Sequence, residues 1–411
     1  MALFPMTKKI TKLLFLCLGL HSTQAYALVG DVDKNFGLDG NVKAFTFVSK
    51  HHEHLVVNAD NAYDAQGLLR LRLIAAGKPT TYLSYEIHGL THMAVIDNTD
   101  LSEIFATNTP TQHYLFFQNS WELYAKDKIS ATQSLERANI KLRLEAADII
   151  IGKQAITFGK TYFWNPLDVF SPFGAIQFDR EYKAAIDGLR IDIPLGDFSG
   201  LNLVATTDEF ETAYGLLRYF GNMADWDLAL QAGLLHNGAH LGAGASGEIG
   251  SVGLRLEGSY LWPDKSSALS EHLSAVLGLG YVINEKTQVQ FEQLYNGGAK
   301  NNLLTNMVLF SSGDLLQASK YVSGLSMSHQ PSALIQSSFT LIWSWKEFSA
   351  LVYPSIVISL SDEIDLLTGA IGSVGQKADG EGSPDLSSES DQGSEFVNYP
   401  QSIYIELKAY F

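Results

Sequence analysis

Tyr404-Ile405-Glu406-Leu407-Lys408-Ala409-Tyr410-Phe411 closes the chain, preceded by Ile403. Read as an extended strand, it puts Ile403, Ile405, Leu407, Ala409 and Phe411 on one face and Tyr404, Glu406 and Lys408 on the other. The same period runs through the chain. Leu69, Leu71 and Leu73 alternate with Arg70 and Arg72; Leu83, Tyr85 and Ile87 with Glu86 and His88. Ala138, Ile140 and Leu142 alternate with Arg137, Asn139, Lys141 and Arg143; Leu254 and Leu256 with Arg255 and Glu257; Val289 and Phe291 with Gln288, Gln290 and Glu292. A soluble sandwich buries such an apolar face in a core, whereas a barrel shows it to lipid and turns the polar face to a lumen. Periodicity alone does not separate the two.

The other chain end decides between them. Lys8, Lys9 and Lys12 precede the apolar run Leu13–Leu20, and Ala25-Tyr26-Ala27 offers small residues for cleavage before Leu28. This is the layout of a secretory signal peptide over 1–27, leaving 28–411 as the mature chain. Leu16, bulky before Cys17, argues against lipidation. Cys17 is the only cysteine, which excludes a disulfide scaffold or a cysteine-rich metal site. A net charge of −16 argues against a nucleic-acid surface. Beyond the signal, nothing approaches the ~18–20 apolar residues of a membrane helix. A closed β-barrel is the other structure that lipid tolerates, because closure pairs every backbone group.

The expected fold is therefore all-β. It is a single transmembrane antiparallel up-and-down barrel of about 18 strands, 16 being the alternative, with both termini periplasmic. Connections support that count. Every second one is short, with examples at Gly77-Lys78-Pro79, Glu145-Ala146-Ala147, Asn284-Glu285-Lys286, Gln330-Pro331 and Ser361-Asp362-Glu363. The long connections, 94–133, 159–184, 298–319 and 373–399, all fall between them. Short periplasmic turns and long extracellular loops have this asymmetry.

Charge on a lipid face is costly, about 2–4 kcal/mol for Arg or Lys at the midplane, so charged residues of the strands belong in the lumen. The expected pore-lining set is Arg70, Arg72, Glu86, His88, Arg137, Lys141, Arg143, Arg190, Arg255, Glu257 and Glu292. A hairpin centred on Gly77 would set Arg72 beside Glu86 and Arg70 beside His88. The face taken by Lys153 depends on a one-residue choice of register.

A terminal Phe on such a strand resembles the assembly signal of bacterial outer-membrane barrels. The resemblance implies that Phe411, Ala409, Leu407 and Ile405 are read by the barrel-assembly machinery. Gly152-Lys153-Gln154, Phe158-Gly159, the stretch Trp164-Asn165-Pro166-Leu167-Asp168-Val169-Phe170 and the strand opening Asp187-Gly188-Leu189-Arg190 resemble a pattern in uncharacterised porin-like outer-membrane proteins. Phe158 and Lys153 stand where that pattern carries Trp and Arg. The general architecture is also similar to alginate-export and capsule-assembly barrels. An aromatic loop of this length either folds into the lumen, with Tyr162, Trp164, Asn165, Asp168 and Phe170 forming a constriction, or packs on the rim.

These readings imply a non-enzymatic porin-like channel in the outer membrane of a Gram-negative bacterium, passing small polar or anionic solutes. The competing reading is a barrel for polysaccharide binding, export or surface attachment. A barrel hydrolase is the minor one, since the spacing of His51, His52 and His54 is diagnostic of neither a triad nor a zinc site. The acidic stretch with Asp379, Glu381, Asp385, Glu389, Asp391 and Glu395 reads as a solvated loop. Lipid, lipopolysaccharide, the assembly machinery and a small solute or polysaccharide are the expected partners. No nucleic acid, cofactor or metal is expected, and the oligomeric state is left open.

Overall fold

The alternating segments become the staves of a closed antiparallel wall in the computed structural model. It describes residues 28–50, 63–96, 113–175, 180–209, 212–265, 267–376 and 394–411. The signal-peptide expectation, His51, His52 and His54, and the acidic stretch up to Asp391 lie outside the described residues.

In chain order the strands are β1 (Val29–Asp31), β2 (Phe36–Lys50), β3 (Tyr63–Thr80), β4 (Leu83–Ile96), β5 (Ser120–Lys126), β6 (Ile129–Arg143) and β7 (Asp148–Gln154). Next come β8 (Ile186–Gly196), β9 (Ser199–Thr207), β10 (Ala213–Met223), β11 (Trp226–Leu235), β12 (Gly238–Ile249), β13 (Val252–Pro263) and β14 (His272–Asn284). The last are β15 (Thr287–Asn296), β16 (Tyr321–Ser332), β17 (Ile335–Ser344), β18 (Ser349–Ser361), β19 (Ile364–Val374) and β20 (Gln401–Tyr410). One helix, α1 (Leu303–Ser311), and a 3-10 turn, Glu395–Asn398, sit in the long connections.

Successive barrel strands pair in space, β4 with β6 across β5, and β20 closes the ring on β2 with Asn41 opposite Tyr410. Eighteen strands form the barrel. The other two are accessories: β1 is a short hairpin on β2, and β5 pairs only with the far half of β6. Phe411 completes the seam. Gly40 N donates to its carbonyl (2.8 Å) and its own N donates to the Gly40 carbonyl (3.0 Å). Its ring occupies the space that a Cβ on Gly40 would need.

The two faces sort as the alternation demands. Along β10, Leu217 and Tyr219 are exposed while Leu216 and Arg218 are buried. Along β20, Ile403 and Ile405 are exposed while Tyr404 and Glu406 are buried. A wall that exposes Leu, Ile and Tyr around its circumference is suited to lipid rather than water, so the fold is that of an outer-membrane barrel.

Both described termini lie at one end, and there every strand connection is short, from Thr81-Tyr82 to Asp362-Glu363. All the long connections lie at the opposite end. Two expected turns shift. β3 and β4 run on past Gly77 through a bulge and turn at Thr81-Tyr82; β16 carries Pro331 inside a bulge and turns at Ala333-Leu334. A proline donates no ladder hydrogen bond, and a bulge is where a strand accommodates one.

Candidate functional site

The site begins where β7 stops. Gly152 has φ +116°, and a Cβ there would lie 2.3 Å from the Ala138 carbonyl oxygen, so only glycine fits. Strict alternation ends at this kink, and Lys153 and Gln154 are both buried. Lys153 thus faces inward, paired with Asp187 at 2.7 Å. Beyond Gln154 the chain leaves the wall, and β5 takes up the pairing with β6 that β7 abandons.

The departing segment, described over 155–175 and 180–185, crosses the lumen. Ile156, Phe158 and Phe170 pack with Ile186, Val204, Leu216 and Leu235, from β8 to β11. Phe163 and Trp164 pack with Val276, Leu294, Val322, Ile342, Leu351 and Ile371, from β14 to β19. Glu181 and Tyr182 then reach β2 and β3: Lys43 pairs with Glu181 at 2.5 Å, and the Arg72 guanidinium lies 3.5 Å from the Tyr182 ring centre. A single loop thereby touches opposite sides of the barrel.

Carboxylates of the wall hold its backbone. Glu292 accepts from the N–H groups of Tyr162, Phe163 (2.7 Å) and Trp164 (3.4 Å). Glu257 accepts from Lys160 N (2.5 Å) and Leu167 N (3.4 Å). Gln231 donates to the Leu167 carbonyl at 3.0 Å. Within the loop, Lys183 and Asp168 form a buried ion pair. Burial pushes the Asp168 carboxyl up and the Lys183 ammonium down, despite their mutual attraction. Asn165 accepts from the Thr161 hydroxyl at 2.9 Å, and Tyr162 lies partly exposed beside Ser326.

The long connections also clasp the loop. Trp164 Nε1 donates to Gln317 Oε1 at 3.0 Å, and Gln317 Nε2 donates to Glu395 at 2.5 Å. Glu395 also accepts from Ala318 N and Ser319 N. Burial pushes its carboxyl up to about 7 against these hydrogen bonds. This buried role replaces the solvated one expected of Glu395.

The charged residues of the wall form small groups rather than opposed walls. Glu86 faces His88 (3.4 Å), Arg137 (3.9 Å) and Asn139 (2.8 Å). Arg72 is not beside Glu86. The turn at Thr81-Tyr82 slides the register so that Arg70 opposes His92 and Ile74 opposes His88. Arg72 instead binds Glu136 twice, at 2.6 and 2.9 Å. Glu136 is the extra residue of a bulge in β6, which turns its carboxylate toward β3, and alternation gave no hint of it. Lys141 pairs with Asp148 (2.6 Å) and Arg190 with Asp192 (2.8 Å), while Arg143 ends β6 on the same face as Arg137. Arg218, absent from the expected set, donates to Asn202 Oδ1, and Arg255 donates to Gln290 Oε1, both at 2.9 Å. A cavity of about 430 Å³ lies against the loop between Arg218, Arg255, Lys160 and Phe158, and another of about 360 Å³ between Arg137, Lys141, Arg190 and Lys78. The structure also brings His113, His236 and Asp314 together, residues far apart in sequence and flagged by no motif.

The closed 18-strand wall is a fold that solved outer-membrane barrels share. No family model matches the sequence, and no curated protein matches it. Among solved structures, Acinetobacter baumannii OccAB1 is similar with a TM-score of 0.58 at 6% identity, over 95% of this chain and 99% of that one. Acinetobacter baumannii OccAB3 is similar with a TM-score of 0.56 at 8% identity, over 92% and 99%. Pseudomonas aeruginosa OccD3 (OpdP) is similar with a TM-score of 0.53 at 8% identity, over 94% of each chain. At such identities the likeness concerns the fold.

Proposed function

We propose that this protein is a passive outer-membrane channel for small polar solutes, with anions favoured, and that segment 155–185 is its constriction. Both termini then face the periplasm, and the strand ending at Ile405, Leu407, Ala409 and Phe411 serves as the assembly signal. One observation carries the reading: a single segment spans the lumen and is held at both sides, with cavities lined by both charged and apolar side chains left beside it. Such a segment sets the pore's cross-section. Arg218 and Arg255 line one of these cavities and donate to neutral amides, Asn202 and Gln290, which supports a preference for anions. Arg137, Lys141 and Arg190 each lie near a carboxylate.

Planar-bilayer recording of the refolded chain under a salt gradient tests this. The expected result is discrete conductance with a reversal potential on the anion side, shifted toward zero in Arg218→Ala/Arg255→Ala. Silence in the bilayer with retained glycan binding would overturn the channel in favour of a surface-attachment barrel.

A further inference from the structure

The long-connection end holds a cluster that solute passage does not use. His113 precedes β5, His236 sits in the β11–β12 turn and Asp314 follows α1. Each offers a ligand atom, and those atoms lie within 4.8 Å of one another. We propose that His113, His236 and Asp314 bind a divalent transition-metal ion of the zinc class, which ties these three connections together.

The ligand chemistry fits such an ion. Two imidazoles and one carboxylate suit borderline metals, and three protein ligands leave a fourth position for water. His236 Nε2 and Asp314 Oδ1 are 3.0 Å apart, close to the roughly 3.3 Å between two ligand atoms on a tetrahedral zinc. The supporting contacts fit as well. Tyr114 Oη lies 2.9 Å from His236 Nδ1, and a hydroxyl can accept a proton from that nitrogen as readily as donate one. With Nδ1–H directed at Tyr114, Nε2 presents its lone pair to the ion. The Ser312 hydroxyl holds Asp314 Oδ2 at 2.8 Å, leaving Oδ1 for the ion. His113 Nε2 faces the Ser312 carbonyl at 2.9 Å; a carbonyl only accepts, so that nitrogen carries the proton and Nδ1 is the ligand atom.

The His113 and His236 rings lie face to face, centres 3.8 Å apart and planes 9° from parallel. Joint ligation therefore requires the His113 ring to tilt. A cavity of about 80 Å³ borders His236 and Asp314, with His240, His272 and Asn237 on its wall, and gives an ion a polar approach. The Asn237 side-chain amide oxygen, Oδ1, there is buried without a hydrogen-bond partner.

Calorimetric titration of the refolded, detergent-solubilised chain with Zn²⁺ alone tests the proposal. One ion per chain at micromolar concentration is expected. His236→Ala, Asp314→Asn and His113→Ala should each weaken binding at least 10-fold, and Tyr114→Phe about 10-fold through His236. His329→Ala, at the opposite end of the barrel, should leave binding unchanged. Heat-modifiable gel mobility identifies correctly folded variants; if His236→Ala fails to fold, Asp314→Asn and His113→Ala carry the test. No micromolar binding by the unsubstituted chain, or undiminished binding in folded Asp314→Asn and His113→Ala, overturns it.

Discussion

Glu292 shows how one wall residue acts at a distance from its own strand. Its carboxylate takes three consecutive backbone N–H groups of the crossing loop, and charge-assisted hydrogen bonds contribute about 1.5–3 kcal/mol each. Glu292→Ala leaves those donors without the acceptor, and the expected outcome is a noisier, larger single-channel conductance; an unchanged trace would show that the loop does not define the pore. The Asp168–Lys183 pair makes a separate prediction about stability. Asp168→Ala leaves a buried ammonium without its counter-charge, a loss of about 3–5 kcal/mol, read as a lower urea midpoint. The aromatic run through Trp164 and Phe170 was legible as a loop with a task, because so much apolar surface is not left in water. Its partners were not: Glu257 and Glu292 are ordinary inward positions in the alternation, and nothing local shows which backbone they meet.

At the level of elements, the loop rests on strands shaped to receive it. Gly324 of β16 lies against Phe163, where an added Cβ would come within 2.5 Å of the ring. Gly324→Leu should therefore lift Phe163 off the wall and change conductance without touching the loop's own residues; proteolysis of the loop in the folded barrel would report the same displacement. The 3-10 turn adds a pH response. The docked Glu395 holds its proton up to about pH 7, while a released carboxyl loses it near its ordinary value of 4.5. Docking is thus strongest below pH 4.5 and weakens as pH rises through 7, by roughly 3 kcal/mol in all. Hydrogen-exchange protection at Phe396–Tyr399 should fall by on the order of 100-fold between pH 4.5 and 8, and Glu395→Gln should flatten that profile. The early end of β7 was hidden from sequence reading because Ala155-Ile156-Thr157-Phe158 continues a plausible strand, and only the close approach of Gly152 to Ala138 shows the chain turning inward.

Over the whole molecule, closure is the decisive step, and it rests on β2 meeting β20. Removing Phe411 deletes two backbone hydrogen bonds to Gly40 and the ring that covers it. A lower yield of heat-modifiable, folded barrel is expected in refolding assays, with any barrel that does form conducting normally. All 18 barrel strands were legible because lipid on one side and a lumen on the other impose a period of two residues that needs no knowledge of tertiary partners. The end at which each turn lies followed from the same pattern, since up-and-down topology alternates the connections. The residues themselves therefore determined that this chain is a barrel and roughly how many strands it has. The register at the first hairpin, the bulge that hands Arg72 to Glu136, the path of 155–185 across the lumen and the meeting of His113, His236 and Asp314 were decided only by the folded molecule. The physical reason is that strand periodicity is a local property of consecutive residues, whereas lumen contacts join loops to walls more than a hundred residues away in sequence, as Trp164 and Glu292 do.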